Sequence, residues 1–168
     1  MNIIDQSGLL AISTRLQRLS DRIRKDGALI YASFDIDFEP KWFPVIYTLH
    51  HKGAMGIMDL AEEIGYAHPS TISLVKELEK KKLVQSKKDK TDERKRIILL
   101  TIQGEKLITR MKPVWKLMTG LLHEITDTPA NLMKAVIEVE EQLDGQGFYQ
   151  RAIPRLPVTS GNRGRPGK

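Results

Sequence analysis

The segment from residue 57 to residue 107 constrains the fold more than any other part of the chain. Residues 57–64 have helical spacing and stop at Gly65, and a second helix begins at His68-Pro69, since proline suits the first helical position. Residues 83–86 and 96–100 are strand-like, with charged residues 87–95 between them as a hairpin tip. A long amphipathic helix opens near Thr101. Helix, turn, helix and a hairpin with a basic tip predict a winged helix-turn-helix.

The net charge of +6 is unevenly distributed along the chain. Residues 66–101 hold 10 basic and 5 acidic side chains, and residues 148–168 hold 5 basic and no acidic side chains. Residues 1–65 and residues 102–147 each carry a small excess of acidic side chains. Because phosphate attraction requires cations on the reading surface, this distribution predicts double-stranded DNA as the partner. A solvated lysine-rich face is the alternative for either cluster.

Composition excludes several classes of protein. With 168 residues, of which 40% are hydrophobic and 29% charged, the chain can bury a core in one domain or in one domain with an extension. No apolar run approaches the roughly 18 residues of a membrane span, and the first residues lack the pattern of a signal peptide. The absence of cysteine excludes disulfides. We therefore expect a cytoplasmic protein without contact to a membrane.

Two amphipathic segments precede the helix-turn-helix. Apolar residues spaced by three and four predict a helix over residues 6–30. A second helix over residues 40–52, with Pro40 first, is expected to bury Phe43, Ile46, Tyr47 and Leu49. Residues 52–56 read as a loop.

The C-terminal third has the most regular spacing. Apolar residues from Leu107 to Ile125 predict one long helix that Pro113 should kink. Thr128 and Pro129 resemble a cap and a first helical residue, and the last helix then runs to Leu143. Residues 145–147 are expected to end the ordered structure.

These helices predict a homodimer. Their apolar stripes exceed what a compact winged helix can cover, so the simplest partner is a second copy, and a two-fold dimer suits a palindromic operator. A monomeric core completed by the same helices is the alternative. The fold expected is mainly α, and α+β only through a small wing hairpin. Its parts are an N-terminal dimerisation helix (1–32), a winged helix-turn-helix core (33–102), C-terminal dimerisation helices (103–147) and a flexible basic tail (148–168).

The first turns of a recognition helix enter the major groove and carry the residues that read DNA. Serine and threonine can bond most base edges, and lysine favours guanine or phosphate. Ile72, Val75 and Leu78 are expected to face the core. The candidates on the other side and at the helix start are His68, Pro69, Ser70, Thr71, Ser73 and Lys76.

The hairpin concentrates charge. An aspartate two residues before an arginine can fix the guanidinium by a charge-assisted bond while it reaches into a narrow minor groove, or the pair can simply brace the hairpin. The wing candidates are Lys87, Lys88, Lys90, Asp92, Arg94, Lys95 and Arg96.

The wing resembles a family signature. Asp92-Glu93-Arg94, followed by Leu100-Thr101 and Gly104, is similar to the Asp-x-Arg…Leu-Thr-x-x-Gly pattern of the MarR (multiple antibiotic resistance regulator) family, and residues 60–84 are similar to its helix-turn-helix. The resemblance implies a dimeric, mostly helical regulator with Arg94 in the minor groove. Lys82 departs from the pattern, because family members usually have glycine there. Lysine must then adopt the helix-ending conformation at some cost.

MarR-like proteins often bind a small aromatic or phenolic ligand in a crevice between the dimer region and the reading head. The residues that could line such a crevice are Trp42, Phe43, Tyr47, His50, His51 and Trp115. Ordinary core or surface positions for these rings are the alternative, and so is a regulator without a ligand.

Few features of the sequence support a metal site or a catalytic site. His50 and His51 point about 100° apart on a helix and cannot easily share a metal ion, so no metal site is predicted. There is no Gly-rich phosphate loop, nucleophile elbow or catalytic pair, and so neither a catalytic residue nor a cofactor is predicted. We do not expect an enzyme.

The tail offers a separate hypothesis. Arg163-Gly164-Arg165-Pro166 resembles the core of an AT-hook, whose arginines lie in an A·T-rich minor groove. A disordered basic end is the alternative.

Together these features predict a homodimeric, sequence-specific DNA-binding regulator of MarR type, a repressor that a small aromatic ligand could release. The rivals are a winged-helix module that binds an acidic protein and a nucleoid-type protein that coats DNA with its wing and tail.

Overall fold

The computed structural model describes residues 2–89 and 95–157. Within these ranges the sheet consists of three short strands, and helices form most of the remainder. The strands are β1 (Met55–Gly56), β2 (Val84–Lys88) and β3 (Arg96–Leu100). The helices are α1 (Ile3–Gln6), α2 (Ile12–Ser33), α3 (Phe43–Lys52), α4 (Ile57–Ile64), α5 (His68–Lys80), α6 (Ile102–Thr126), α7 (Leu132–Gly145) and α8 (Phe148–Ala152), with 3₁₀ turns at Gly8–Ala11, Pro40–Trp42 and Ile153–Arg155.

The sheet is antiparallel, with the order β1-β3-β2. β2 and β3 pair from Val84 opposite Leu100 to Lys88 opposite Arg96, as the hairpin prediction required. β1 was not predicted, because residues 52–56 read as a loop. Met55 pairs with Ile98 and Gly56 with Ile97, so these two residues cover the outer edge of β3. A two-residue strand is too short to show an alternating pattern.

The chain divides into two compact units, residues 1–119 and 120–168. The core of the first unit joins α3, α4, α5 and the sheet, and Trp42, Ile46, Leu60 and Leu78 are fully buried in it. Ile108, Met111 and Val114 of α6 belong to the same core. The first half of α6 therefore packs with the winged helix. α6 continues as a single helix through Pro113.

The N-terminal predictions need two corrections. The single helix expected over residues 6–30 is divided into α1, a 3₁₀ turn and α2, with Gly8 at a φ of +61° between them. In α3 the structure buries Val45, Ile46 and Leu49, whereas Phe43 and Tyr47, which were predicted to be buried, are exposed.

The start of the last long helix was also misplaced. Asn131 caps α7 and its side chain accepts a hydrogen bond from the Lys134 N–H (3.1 Å). Thr128 and Pro129, predicted as cap and first helical residue, lie in a turn closed by the Asn131 N–H on the Thr128 carbonyl (2.9 Å). Both threonine and asparagine are good caps, so the sequence pattern alone could not choose between them.

The first residues of the predicted flexible tail form regular structure. α8 and a 3₁₀ turn span residues 148–155. Arg151 holds α8 against the end of α7, because its guanidinium donates to the carbonyls of Gln146 (2.8 Å) and Gln142 (2.6 Å). The Gln142 carbonyl also accepts the N–H of Gln146, the residue that caps the end of α7 (3.1 Å), so Arg151 adds to an existing helix cap. Among the described residues, no helix is long and apolar enough to cross a membrane.

Candidate nucleic-acid interface

The turn between α4 and α5 sets the angle of the helix-turn-helix. α4 ends at Gly65, whose φ of +67° is left-handed. The Tyr66 N–H then reaches back to the carbonyl of Ala61 (3.0 Å), which closes the end of the helix. Leu60 and Ala61 are buried, so α4 presses against the core and holds the start of α5 at the surface.

α5 presents two distinct faces. Thr71, Leu74, Val75 and Leu78 are buried, and the hydroxyl of Thr71 lies 3.4 Å from the carbonyl of Ala67. Thr71 was predicted to point toward DNA, and this was wrong because it follows the buried helical spacing with Leu74, Val75 and Leu78. Leu74 is buried in the core, whereas Ile72, which was expected to face the core, is only partly buried.

The exposed face retains most of the predicted reading residues. Pro69, Ser70, Ser73 and Lys76 are all exposed, and the Ser73 hydroxyl donates to the carbonyl of Pro69 (3.1 Å). Pro69 is the second residue of α5, because the helix begins at His68. His68 itself is partly buried. One side of the first three turns thus offers hydroxyls and an ammonium group to a partner.

α5 ends in a Schellman motif, after which the chain enters strand β2 of the wing. The Leu83 N–H bonds to the Leu78 carbonyl (3.0 Å) and the Lys82 N–H to the Glu79 carbonyl (2.9 Å). Lys82 has a φ of +58°, the left-handed conformation that the comparison with glycine predicted. A side chain at this position is strained, because lysine has a Cβ and glycine has none.

Thr101 ties the wing to both neighbouring helices. Its hydroxyl accepts from the Gly104 N–H (3.0 Å), which caps α6, and lies 2.6 Å from the Lys82 carbonyl and 3.2 Å from the Leu83 carbonyl. Its own N–H donates to the Leu83 carbonyl (3.0 Å). Gly104 lies so close that a Cβ there would come within 2.3 Å of the Leu83 oxygen. The Leu-Thr-x-x-Gly pattern is therefore a structural requirement of this junction.

The wing strands carry exposed cations. Lys87 and Lys88 on β2, Lys95 just before β3 and Arg96 at its start are all exposed. The last hairpin bond before the tip joins the Asp89 N–H to the Lys95 carbonyl (3.0 Å). Lys90, Asp92 and Arg94, the other predicted wing residues, lie outside the described residues, and so do Arg163 and Arg165 of the tail.

A polar clamp between α5 and the loop before α3 was not predicted. Glu77 accepts a hydrogen bond from the indole N–H of Trp42 (3.0 Å) and forms an ion pair with Lys41 (2.7 Å). These contacts lower the pKa of the Glu77 carboxyl, the bond from Lys41 contributing most. One turn on, Lys81 pairs with Asp37 (2.7 Å), which raises the pKa of the lysine. The partners are some 35 to 44 residues apart in sequence, so no local pattern points to them.

Four of the six predicted crevice residues lie together. Tyr47 stacks at 4.1 Å from His51 and 4.9 Å from Phe43, and Trp115 meets both Phe43 and Tyr47 edge-on at 5.6 Å. The Trp115 indole N–H donates to the Tyr31 hydroxyl (2.8 Å). Burial raises the pKa of that tyrosine. These five residues form what we call the aromatic cluster.

The other two predicted crevice residues have different surroundings. Trp42 is buried in the core, edge-on to Phe38 at 5.7 Å. His50 Nδ1 lies 3.7 Å from a carboxylate oxygen of Glu105 and its ring is edge-on to His51. Among the described residues, no group of three or more histidine and acidic side chains could hold a metal ion.

The model of the MarR family matches residues 39–95 of the chain, from the loop before α3 into the wing. The uncharacterized HTH-type transcriptional regulator YwaE of Bacillus subtilis is 24% identical, over 70% of this chain and 78% of that protein. Both matches include the helix-turn-helix described above.

Solved structures share the fold. The S. aureus MepR–DNA complex has a TM-score of 0.65 with 20% identity, covering 80% of this chain and 97% of that chain. Bordetella bronchiseptica BpsR, whose DNA binding is regulated by 6-hydroxynicotinic acid, has a TM-score of 0.57 with 21% identity, covering 76% of this chain and 98% of that chain. The family model on residues 39–95 and these solved structures agree on the winged helix-turn-helix, so this part of the chain is similar to MarR-family regulators.

Proposed function

We propose that this chain is a homodimeric transcriptional regulator that places α5 in the major groove of DNA and the wing in the adjacent minor groove. One observation carries the proposal: the exposed residues Ser70, Ser73 and Lys76 lie on one side of α5, next to a wing with exposed cations. Hydroxyls and ammonium groups at these places can bond base edges and phosphates. The match of the MarR family model to residues 39–95 supports the same role, and MepR and BpsR are both described with DNA.

The proposal assigns different tasks to helix and wing. Ser70 and Ser73 read base edges, and Lys76 contacts a guanine or a phosphate. Lys87, Lys88, Lys95 and Arg96 neutralise phosphates, and Arg94 enters the minor groove, as the family signature implies. Thr71 has no direct role, because it is buried.

The dimer is supported by helices whose apolar faces are exposed within their own compact unit. α7 has 14 residues and buries none of its side chains. Isolated helices of about this length are marginal in water, so an amphipathic one needs a packing partner. α2 likewise exposes Ile12, Leu16 and Ile23. A second copy would cover these faces, and sedimentation equilibrium should give twice the chain mass of 19.1 kDa.

The sign of regulation and the effector complete the proposal. The regulator represses its target until a small aromatic ligand occupies the aromatic cluster, as BpsR responds to 6-hydroxynicotinic acid. Tyr47 and Phe43 are exposed enough to meet such a ligand. Calorimetric titration with 6-hydroxynicotinic acid, repeated on Trp115→Ala, tests this part. Binding that the variant abolishes supports it, and no binding at millimolar concentration contradicts this ligand class.

The main experiment is an anisotropy titration with the DNA upstream of the protein's own gene, beside a scrambled fragment of equal length. Tight binding to the native fragment alone, weakened about tenfold by Lys76→Ala, is the expected result. Lys112→Ala on the exposed side of α6 is the matched control and should change little. Equal binding to both fragments would indicate a DNA-coating protein, and binding to neither would leave a protein partner.

A further inference from the structure

A polar anchor in the last turn of α5 joins this helix to the chain that precedes α3. The Glu77 carboxylate accepts a hydrogen bond from the buried Trp42 indole (3.0 Å) and pairs with the Lys41 ammonium (2.7 Å). Both partners belong to residues 34–42, which link α2 to α3 and which we call the connecting segment.

A second anchor reaches the same segment from the end of α5. Lys81, the residue that caps the helix, pairs with Asp37 (2.7 Å), and its ammonium lies 5.7 Å from the centre of the Trp42 ring. A cation at that distance from an indole face is attracted to it. Because Glu77 and Lys81 are four residues apart, they lie on the same side of the helix. This flank of α5 is therefore held at two successive turns.

The opposite flank of α5 is held by the wing. Glu79 accepts a hydrogen bond from the hydroxyl of Ser86 on β2. At 3.6 residues per turn, Glu79 lies about 200° around the helix from Glu77. Between the two flanks, Leu74 and Leu78 pack in the core. Apolar contacts are non-directional, whereas hydrogen bonds require a distance and an angle, so the polar contacts restrict rotation of α5 about its own axis.

The connecting segment is itself firmly fixed. Ile36, Phe38 and Trp42 are buried in the core of the first unit. The Arg110 guanidinium of α6 donates to the Asp35 carbonyl (2.8 Å), which ties the start of the segment to another helix. The segment therefore provides α5 with a rigid support.

The anchors and the candidate reading residues occupy different parts of α5. The exposed Ser70, Ser73 and Lys76 lie in its first three turns, and the anchors lie at its end. Side-chain ends lie about 5–6 Å from a helix axis, so a rotation of about 20° moves them by about 2 Å. A hydrogen bond tolerates a change in length of only about 0.5 Å. Contacts to base edges therefore depend on the rotation that the anchors allow.

From this arrangement we infer that Glu77 and Lys81 are positioning residues for DNA recognition. Through the connecting segment they set the rotation of α5 at which its first turns reach the base edges, without touching DNA themselves. The inference rests on the proposed function.

The specificity ratio, which is the Kd for scrambled DNA divided by the Kd for the native upstream fragment, measures this role. Binding to scrambled DNA depends on phosphate contacts, whereas preference for the native fragment depends on base contacts. A misplaced α5 therefore lowers the ratio. A change of surface charge or a loss of folded protein affects both fragments alike and leaves the ratio unchanged.

Charge reversal at the second anchor gives a matched set of variants. Lys81→Glu and Asp37→Lys each place two like charges together, and they change the net charge in opposite directions. The double variant restores the pair with its charges exchanged. The Asp37 side chain is 82% exposed and exposed pairs contribute little to stability, so these variants should fold. Lys112→Glu makes the same charge change as Lys81→Glu on the exposed side of α6 and is the control.

Both single variants should lower the specificity ratio about fivefold or more, since a well-placed base contact contributes at least that much discrimination. The double variant should return to the wild-type ratio, and Lys112→Glu should keep it. Glu77→Ala should also lower the ratio. Glu77→Gln should lower it less, because its amide oxygen can still accept from the Trp42 indole. Thermal melting checks that each variant is folded.

Two results would overturn the inference while the proposed function stands. One is a wild-type ratio in the folded single variants. The other is a loss that the double variant does not restore, since Lys81 would then act on DNA directly. A wild type that does not prefer the native fragment would instead defeat the proposed function, and the inference with it.

Discussion

Lys82 offers a direct test of the strain at the junction between α5 and the wing. Its φ of +58° lies in the left-handed region, where a side chain with a Cβ costs roughly 1–2 kcal/mol. Lys82→Gly removes this cost, but glycine also raises the conformational entropy of the unfolded chain, which lowers the stability of the fold by about 0.4–1 kcal/mol. We expect a net stabilisation of about 0.5–1 kcal/mol.

The backbone contacts of the junction are kept in this variant. The Lys82 N–H bonds to Glu79, its carbonyl accepts from Thr101, and its side chain is exposed. For a chain of this length the gain corresponds to a rise in Tm of about 1–4 °C. Differential scanning calorimetry must be run at one protein concentration, because the stability of the proposed dimer would depend on it.

Lys80→Gly is the matched control for this experiment. Lys80 is exposed like Lys82 but lies in the last turn of α5, where the backbone is right-handed and helical. Glycine there should cost about 0.5–1 kcal/mol. Opposite signs for the two variants are the signature of strain at Lys82. A Lys82→Gly variant that is as destabilised as Lys80→Gly would refute the reasoning.

Two further substitutions test the contacts around the reading head. Gly104→Ala should destabilise the fold by about 3 kcal/mol or more, because its Cβ would lie 2.3 Å from the Leu83 carbonyl, and urea unfolding that shows a loss below about 1 kcal/mol would contradict this geometry. Glu77→Gln should be less stable than the wild type at neutral pH, since the bond from Lys41 lowers the pKa of Glu77. A carboxyl whose pKa is lowered in the folded protein stabilises the fold at a pH above its ordinary pKa, and this contribution is lost as the pH falls. The difference in unfolding free energy between wild type and Glu77→Gln should therefore shrink below pH 4.5. A difference that stays constant down to pH 3 would count against the clamp.

Local signals in the sequence predicted much of the reading head. α4 was predicted with its observed bounds, because helical spacing and a glycine in the left-handed conformation mark its end within a few residues. The start of α5 and the β2–β3 hairpin have equally local signals in Pro69 and in the charged tip between apolar strands. The strain at Lys82 followed from the departure from the family pattern and is confirmed by its φ.

The errors arise where the structure depends on distant partners. Thr71 is buried because of how α5 packs on the core, although its place in the sequence suits a base contact as well as that of Ser70 does. β1 exists only because β3 offers an open edge to Met55 and Gly56. The clamp from Glu77 to Trp42 joins residues 35 positions apart, and neither residue shows a pattern that anticipates it.

The wing cations are proposed to contact phosphates, and the salt dependence of DNA binding measures the number of such contacts. For wild type, log Kd should rise linearly with log salt, and each phosphate contact contributes a slope of about 0.9. Lys87→Gln with Arg96→Gln removes two cations from each chain and four from the proposed dimer, and should lower that slope by about 3.6. Lys112→Gln with Lys116→Gln removes the same charge from the exposed side of α6 and should leave the slope unchanged. Equal slopes in all three proteins would contradict the account.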